Sequence, residues 1–186
     1  MGENFRRKAH MVAEVHTIEI PTVCTHSSVV SRDSVRIAVT IAALNDLIVF
    51  SHGIQNAFLT AKNREKIWTR AGPELGSDVG EIMIVVRALC GLRSSVAAFR
   101  ALLVEVLDGL WYVPSKADLD VYVRPEIKGD GFKYYEYVLC YKDYVLCISD
   151  NPMATMEGFQ KQFKLNDDKI EPPDIYLGTC LTKMHN

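Results

Sequence analysis

Two apolar runs separated by a pair of charged residues constrain the fold of this chain more than any other feature. The sequence YYEYVLCYKDYVLCIS, residues 134–149, has apolar and aromatic residues on both sides of Lys142 and Asp143. Two such runs joined by a two-residue turn predict a β-hairpin, with arms at residues 132–141 and 144–149. The chain therefore contains antiparallel sheet, and the charged tip is either an exposed turn or part of a site.

Three further segments have the periodicity of helices. The first opens with the capping candidates Ser31 and Asp33, and the second covers residues 94–110 with its apolar side chains on one stripe. The third begins at Asn151, with Pro152 at the first helical position, and is expected to bury Met156, Phe159 and Phe163. The apolar face of the first helix is expected to contain Val35, Ile37, Val39, Ile41, Ala42 and Leu44.

Short β-branched and aromatic runs between these helices predict strands at residues 47–53, 66–70, 81–89 and 120–124. The sequence DIYLGTCLT, residues 174–182, predicts one final strand. Helices and strands are interspersed and several strands are adjacent as hairpins. The predicted fold class is therefore α+β, an antiparallel sheet backed by helices.

Composition restricts the kinds of protein that the chain can be. Its 186 residues are 48% hydrophobic and 24% charged, as in a globular protein. No apolar run reaches the roughly 20 residues that cross a bilayer, and the start lacks a signal peptide, so we expect a soluble, intracellular protein without membrane contact. The net charge of −2 lacks the basic excess of an autonomous nucleic-acid binder.

The order of the segments resembles the reverse transcriptases of copia-type retrotransposons. Six stretches match motifs of that family in the family's own order, and together they span nearly the whole chain. They are KAHMVA at residues 8–13, SVVSRDSVRIAVTIAALNDL at 28–47, GIQNAFLTA at 53–61, LCGLRSS at 89–95, YKDY at 141–144 and YLG at 176–178.

The resemblance implies a single partial reverse transcriptase domain over residues 1–186. Residues 1–30 and 59–92 would form parts of the fingers, and residues 31–58 and 93–186 the palm, with its antiparallel sheet. The family's thumb is expected to be absent.

The family extends a DNA primer along an RNA template. It uses two Mg²⁺ ions, which three aspartates hold about 3.5–4 Å apart. In this chain Gly53 stands at the first of those aspartates, Asp143 at the second and Tyr144 at the third. Only one carboxylate of the three remains. The resemblance therefore predicts that Mg²⁺ is not bound productively and that the chain is inactive as a polymerase.

Other positions match nucleotide-binding or nucleic-acid-binding positions of the family. Phe58 corresponds to the aromatic residue that excludes a ribose 2′-hydroxyl, although packing in the core is an equally good interpretation. Lys8, Arg93 and Ser94 match nucleotide-binding segments, whereas Arg6 and Arg7 are candidates for phosphate contact. The basic residues 6–8 are also interpretable as a solvated edge.

Two alternatives to a degenerate polymerase stay open. The chain is either a non-catalytic module that binds nucleic acid or another partner, or a relic without selected function. A carboxylate pair between Asp143 and either Asp120 or Glu136 is not predicted, because no spacing in the sequence brings them to working distance.

Overall fold

The structure, a computed structural model, describes residues 27–165, 175–176 and 179–180, together with Val12 and Thr25. The chain divides into two compact units. The first contains Met1–His26 and Phe58–Phe99, and the second contains Ser27–Ala57 and Arg100–Asn186.

The described residues form helices and strands in an interspersed order. In chain order they are α1 (Arg32–Leu44), β1 (Ile48–Gly53), α2 (Ala57–Thr60), β2 (Trp68–Arg70), β3 (Ile82–Ile84), α3 (Ser95–Gly109), β4 (Val113–Pro114), β5 (Val121–Ile127), β6 (Lys133–Tyr141), β7 (Tyr144–Ser149), α4 (Pro152–Gln160), β8 (Ile175–Tyr176) and β9 (Thr179–Cys180). A 3₁₀ segment at Pro73–Asp78 lies between β2 and β3.

A five-stranded sheet in the order β1-β7-β6-β5-β4 is the centre of the second unit. Each neighbouring pair in it is antiparallel, and β6 and β7 form the predicted hairpin with Tyr141 opposite Tyr144. The mixture of helices and antiparallel sheet is therefore confirmed. The two-residue strand β4 was not predicted; its proline is tolerated because β4 is an edge strand.

Helix α1 covers one face of this sheet. Its small buried residues Val35, Ala38 and Ala42 form one cluster with Leu146 and Ile148 of β7. The predicted apolar face was wrong in part, because Ile37 is 61% exposed and Leu44 is 80% exposed. At 100° per residue, these two side chains, seven positions apart, lie on the side of α1 opposite the sheet.

The other face of the sheet carries the alternate residues of β6 and β7, among them Val138 and Val145, which are fully buried. Helix α4 lies on this side and buries Met156 and Phe159, as the sequence predicts, and Phe163 beyond its end is also buried. Pro152 is the first helical residue, although the Asn151 side chain makes no capping hydrogen bond.

In the first unit, β2 and β3 form a two-stranded antiparallel ribbon. Both are shorter than predicted, at three residues each. Beyond Ile84 the Val85 amide still donates to the Ile67 carbonyl at 2.9 Å, and the Asn63 side-chain amide donates to the Val85 carbonyl at 2.9 Å.

The prediction of one final strand was wrong. Where residues 174–182 are described, they form two short strands, β8 and β9, which pair with each other through Ile175 with Cys180 and Tyr176 with Thr179. Gly178 lies between them in the sequence and is a turn signal that interrupts a strand pattern.

Candidate functional site

The tip of the β6–β7 hairpin is a two-residue turn formed by Lys142 and Asp143. Tyr141 and Tyr144 face each other across it and close the ladder. Lys142 has a φ of 54°, in the left-handed region that a residue with a side chain enters at a cost of about 1–2 kcal/mol. The Lys142 ammonium lies 5.7 Å from the centre of the Tyr141 ring, so its charge is directed back over the hairpin.

The end of β1 lies beside this turn. Gly53 pairs with Tyr144, and the next residue, Ile54, donates its amide hydrogen to the Asp143 carbonyl at 2.8 Å. Because antiparallel pairs alternate, Gly53 and Tyr144 form the neighbouring pair without mutual hydrogen bonds, where side chains from two strands come closest. The backbone thus brings Gly53, Asp143 and Tyr144 together at one point.

The side chains at this point offer few ligands to a cation. Gly53 is buried and has no side chain, Asp143 is half-buried, and Tyr144 is 47% exposed. Among the described residues, no group of three or more His, Cys, Asp and Glu side chains could hold a metal ion. Since Mg²⁺ favours several carboxylate or phosphate oxygens, the residues present do not fit a two-ion site.

Three of the residues that the sequence singled out for nucleotide binding lie in the first unit. The Phe58 ring is half-buried and meets the Phe99 ring edge-to-face, with centroids 6.1 Å apart. Ser94 is buried, and its hydroxyl donates to the Glu65 carboxylate. Arg93 is exposed. The remaining candidates, Arg6, Arg7 and Lys8, lie outside the residues that the structure describes.

The buried carboxylates of the second unit are paired with arginines. Asp120 accepts hydrogen bonds from Arg100 Nε at 3.0 Å and Nη2 at 2.9 Å. Glu136 is 3% exposed and forms a salt bridge with Arg124, whose Nε donates at 2.8 Å. Among the described contacts, both carboxylates are held by arginines of the same unit.

Glu136 is the centre of a hydrogen-bonded network, here called the Glu136 network, with Arg124, Tyr112, Ser149 and Thr155. The Tyr112 hydroxyl donates to Glu136 at 3.0 Å and lies 2.9 Å from the Thr155 hydroxyl, and the Ser149 hydroxyl donates to the other Glu136 oxygen. Burial raises the pKa of Tyr112 well above its ordinary value, and the adjacent Glu136 carboxylate contributes to the shift. The network is therefore an ion pair with its polar groups satisfied.

Sequence reasoning missed the Glu136 network. The usable signal is positional: in the β5–β6 hairpin Arg124 pairs with Glu136, so their side chains point to the same face. That pairing depends on a register that the sequence alone did not fix.

Among the described residues, no helix has both the length and the apolar character that crossing a bilayer requires. A search of curated proteins finds no match to this chain, and a search of solved structures finds none either. The sequence model of the family described as reverse transcriptase (RNA-dependent DNA polymerase) matches residues 3–183. This chain belongs to the reverse transcriptase (RNA-dependent DNA polymerase) family.

Proposed function

We propose that this chain is a degenerate copia-type reverse transcriptase domain that has lost DNA polymerase activity. The observation that carries the proposal is the register at the hairpin tip, where Gly53 lies opposite Tyr144 and beside Asp143. These are the positions at which the copia-type resemblance expects three aspartates. In this proposal the sheet of the second unit is the palm, and the first unit corresponds to the fingers.

A single carboxylate is a poor basis for phosphoryl transfer by two metal ions. One ion activates the attacking hydroxyl and the other stabilises the leaving group, and shared carboxylates fix the distance between them. Glycine supplies no ligand in place of the first aspartate. Tyr144 places an aromatic ring where the third aspartate is expected. Asp143 alone cannot bridge two ions and also complete their coordination.

The test is primer extension by the full chain on an RNA template, with Mg²⁺ and, separately, with Mn²⁺. We expect no template-dependent product above that of the D143N variant. That variant is the matched control because it removes the last carboxylate while keeping the size of the side chain. Template-dependent product from the natural chain that D143N abolishes would overturn the proposal.

A double reversion shows whether the substitutions at the hairpin tip alone account for the proposed loss of polymerase activity. The G53D/Y144D variant restores the three carboxylates that the copia-type resemblance expects. We expect Mg²⁺-dependent extension above that of the natural chain, and its removal by adding D143N. A revertant without activity would place the loss at further positions of the chain.

A second candidate is a module that binds nucleic acid without catalysis. Arg93 favours it, because this cation is exposed in a segment that resembles a nucleotide-binding motif of the family. The test is binding to a primer–template duplex at several salt concentrations by fluorescence anisotropy. We expect R93A to reduce the salt dependence by about one phosphate contact, and an unchanged slope would count against the candidate.

A further inference from the structure

One face of the β2–β3 ribbon in the first unit is exposed along its length. Trp68 lies opposite Ile84 and Arg70 opposite Ile82, and residues opposite each other on neighbouring strands point to the same side. Trp68 is 63% exposed, Ile82 is 62% exposed and Ile84 is 72% exposed. Arg70 and Lys66, two positions before Trp68, are exposed as well. We call these five residues the ribbon face.

The charges of the ribbon face are of one sign. Its charged members are Lys66 and Arg70, and among the described residues no salt bridge joins either of them to a carboxylate. Arg70 donates a hydrogen bond to the Gly80 backbone carbonyl at 3.2 Å, which leaves its positive charge uncompensated. Both cations are therefore available to an acidic partner.

The acidic residues that lie near the ribbon in the sequence are directed elsewhere. Glu65 accepts a hydrogen bond from the Ser94 hydroxyl. Glu81 stands one position before β3, so its side chain points to the other side of the ribbon. Glu74 and Asp78 belong to the 3₁₀ segment between β2 and β3, beyond the paired residues. The ribbon face thus combines cations and apolar surface without an acid of its own.

The apolar part of the ribbon face indicates the kind of partner. Tryptophan and arginine often dominate binding between proteins, and an apolar centre with charges at its rim is the usual arrangement of such interfaces. Trp68, Ile82 and Ile84 form an apolar centre of this kind. The bases of a nucleic acid stack on flat aromatic rings, and the two branched isoleucines offer them no such platform. The composition of the face therefore favours a protein partner.

The spacing of the cations restricts the shape of that partner. Lys66 and Arg70 are four residues apart, or about 13 Å along an extended chain, with Trp68 halfway between them. In an extended partner segment, side chains of one side recur at every second residue, so two acids four residues apart span the same distance. An apolar side chain halfway between those acids would then meet Trp68.

We propose that the ribbon face binds an extended protein segment whose acidic and apolar side chains alternate on one side. The acids pair with Lys66 and Arg70, and the apolar side chains cover Trp68 and the two isoleucines. This binding needs neither a metal ion nor the residues of the β6–β7 hairpin tip. A two-stranded ribbon is only marginally stable on its own in water, so the bound segment also stabilises β2 and β3.

The test is titration of the full chain with a synthetic peptide of three Glu-Ser-Leu-Ser repeats. Trp68 fluorescence is the signal, in a W111F background that removes the second of the two tryptophans. We expect a saturable change whose midpoint rises with salt concentration, because exposed charges are screened. Peptides with Lys in place of Glu, or with Ser in place of Leu, are expected to bind at least tenfold more weakly.

Variants of the ribbon face connect the binding to its residues. R70E and I84S are each expected to weaken binding of the Glu-Ser-Leu-Ser peptide at least tenfold. K116E is the matched control, because Lys116 is an exposed cation of the second unit. The K66E/R70E variant is expected to prefer the peptide with Lys in place of Glu. A reversed preference of this kind distinguishes a changed interface from a damaged fold.

Three outcomes would overturn the proposal. The first is a natural chain that shows no saturable change with the Glu-Ser-Leu-Ser peptide. The second is a K66E/R70E variant that keeps the preference of the natural chain. The third is an oligonucleotide of thymidines that binds more tightly than the peptide, displaces it and loses affinity in R70E and I84S, since the ribbon face would then be a nucleic-acid site.

Discussion

Two carboxylates of the β6–β7 hairpin, seven residues apart, have opposite environments. Glu136 is buried and bonded to an arginine, a tyrosine and a serine. Asp143 is half-buried in a turn whose other residue, Lys142, has a left-handed backbone. A carboxylate with all its partners in the protein stabilises the fold, whereas Asp143 has no ion-pair partner among the described residues. In this chain the stabilising carboxylate has its partners, and we propose that the tip lost its neighbouring carboxylates.

The largest expected effect is at the Glu136 network. E136A leaves half-buried Arg124 without its carboxylate and leaves the Tyr112 and Ser149 hydroxyls without their acceptor. Removing one partner of a buried pair costs about 3–5 kcal/mol. We expect the free energy of unfolding in urea to fall by that amount, with an unchanged slope against denaturant. A loss below about 1 kcal/mol would show that the network is not a closed ion pair.

A third carboxylate, Asp118, is expected to stabilise the fold by less than Glu136 and by more than Asp143. It accepts hydrogen bonds from the Ser31 amide at 3.0 Å and the Ser34 hydroxyl at 2.6 Å, at the start of α1. Partial burial alone would raise the pKa of Asp118, but these hydrogen bonds outweigh it and the pKa lies below its ordinary value. Removing such a partner from a helix start costs about 1 kcal/mol.

The effect of Asp118 depends on pH in a defined direction. A carboxyl group with a lowered pKa in the folded state stabilises above its unfolded value, near 3.9, and this contribution disappears as pH falls through the folded value. We expect D118N to be less stable than the natural chain by about 1 kcal/mol at pH 7. The difference should shrink below about pH 4. A difference that stays constant with pH would contradict this assignment.

At Trp111 we expect a smaller effect of opposite sign, a rise in the free energy of unfolding on substitution. This residue has a φ of 65° after the end of α3, where the Tyr112 amide donates to the Leu107 carbonyl and the Trp111 amide to the Asp108 carbonyl. Glycine is favoured at this position of a helix end, and Trp111 is 83% exposed. We expect W111G to stabilise the fold by about 0.5–1 kcal/mol, measured by urea unfolding. A loss of stability would mean that the indole makes contacts that matter more than backbone strain.

The smallest effect on stability is expected for D143N. Asp143 is half-buried and no described ion pair holds it, so the free energy of unfolding should change by less than about 0.5 kcal/mol. Urea unfolding of the D143N and E136A variants under the same conditions compares what Asp143 and Glu136 each contribute to the free energy of unfolding. A loss at Asp143 similar to that at Glu136 would remove the distinction between a carboxylate that stabilises the fold and one that does not.

Local signals in the sequence predict the elements of this fold that depend on neighbours along the chain. The hairpin follows from two apolar runs and a two-residue turn, and α3 and α4 follow from their apolar periodicity. The burial of α1 was harder to predict, because its apolar residues surround the helix and only the small ones, such as Ala38 and Ala42, contact the sheet. The cap that Asp118 provides joins residues 84 positions apart, so no local pattern reveals it.

The residues of the candidate site could be predicted because the order of the segments along the chain identifies them. The resemblance named Gly53, Asp143 and Tyr144, and the strand register brings them together. The pairing of Glu136 with Arg124 depends on strand register, and the pairing of Asp120 with Arg100 depends on how a helix packs near β5. Neither is encoded in any single segment.

The number of metal ions at the hairpin tip tests the central claim most directly. Electron paramagnetic resonance of Mn²⁺, with primer–template and a non-hydrolysable nucleotide present, detects two ions within about 4 Å through their magnetic coupling. We predict no coupled pair in the natural chain. A coupled pair that D143N abolishes would contradict the account, because it would show that Asp143 and its neighbours still assemble a two-metal site.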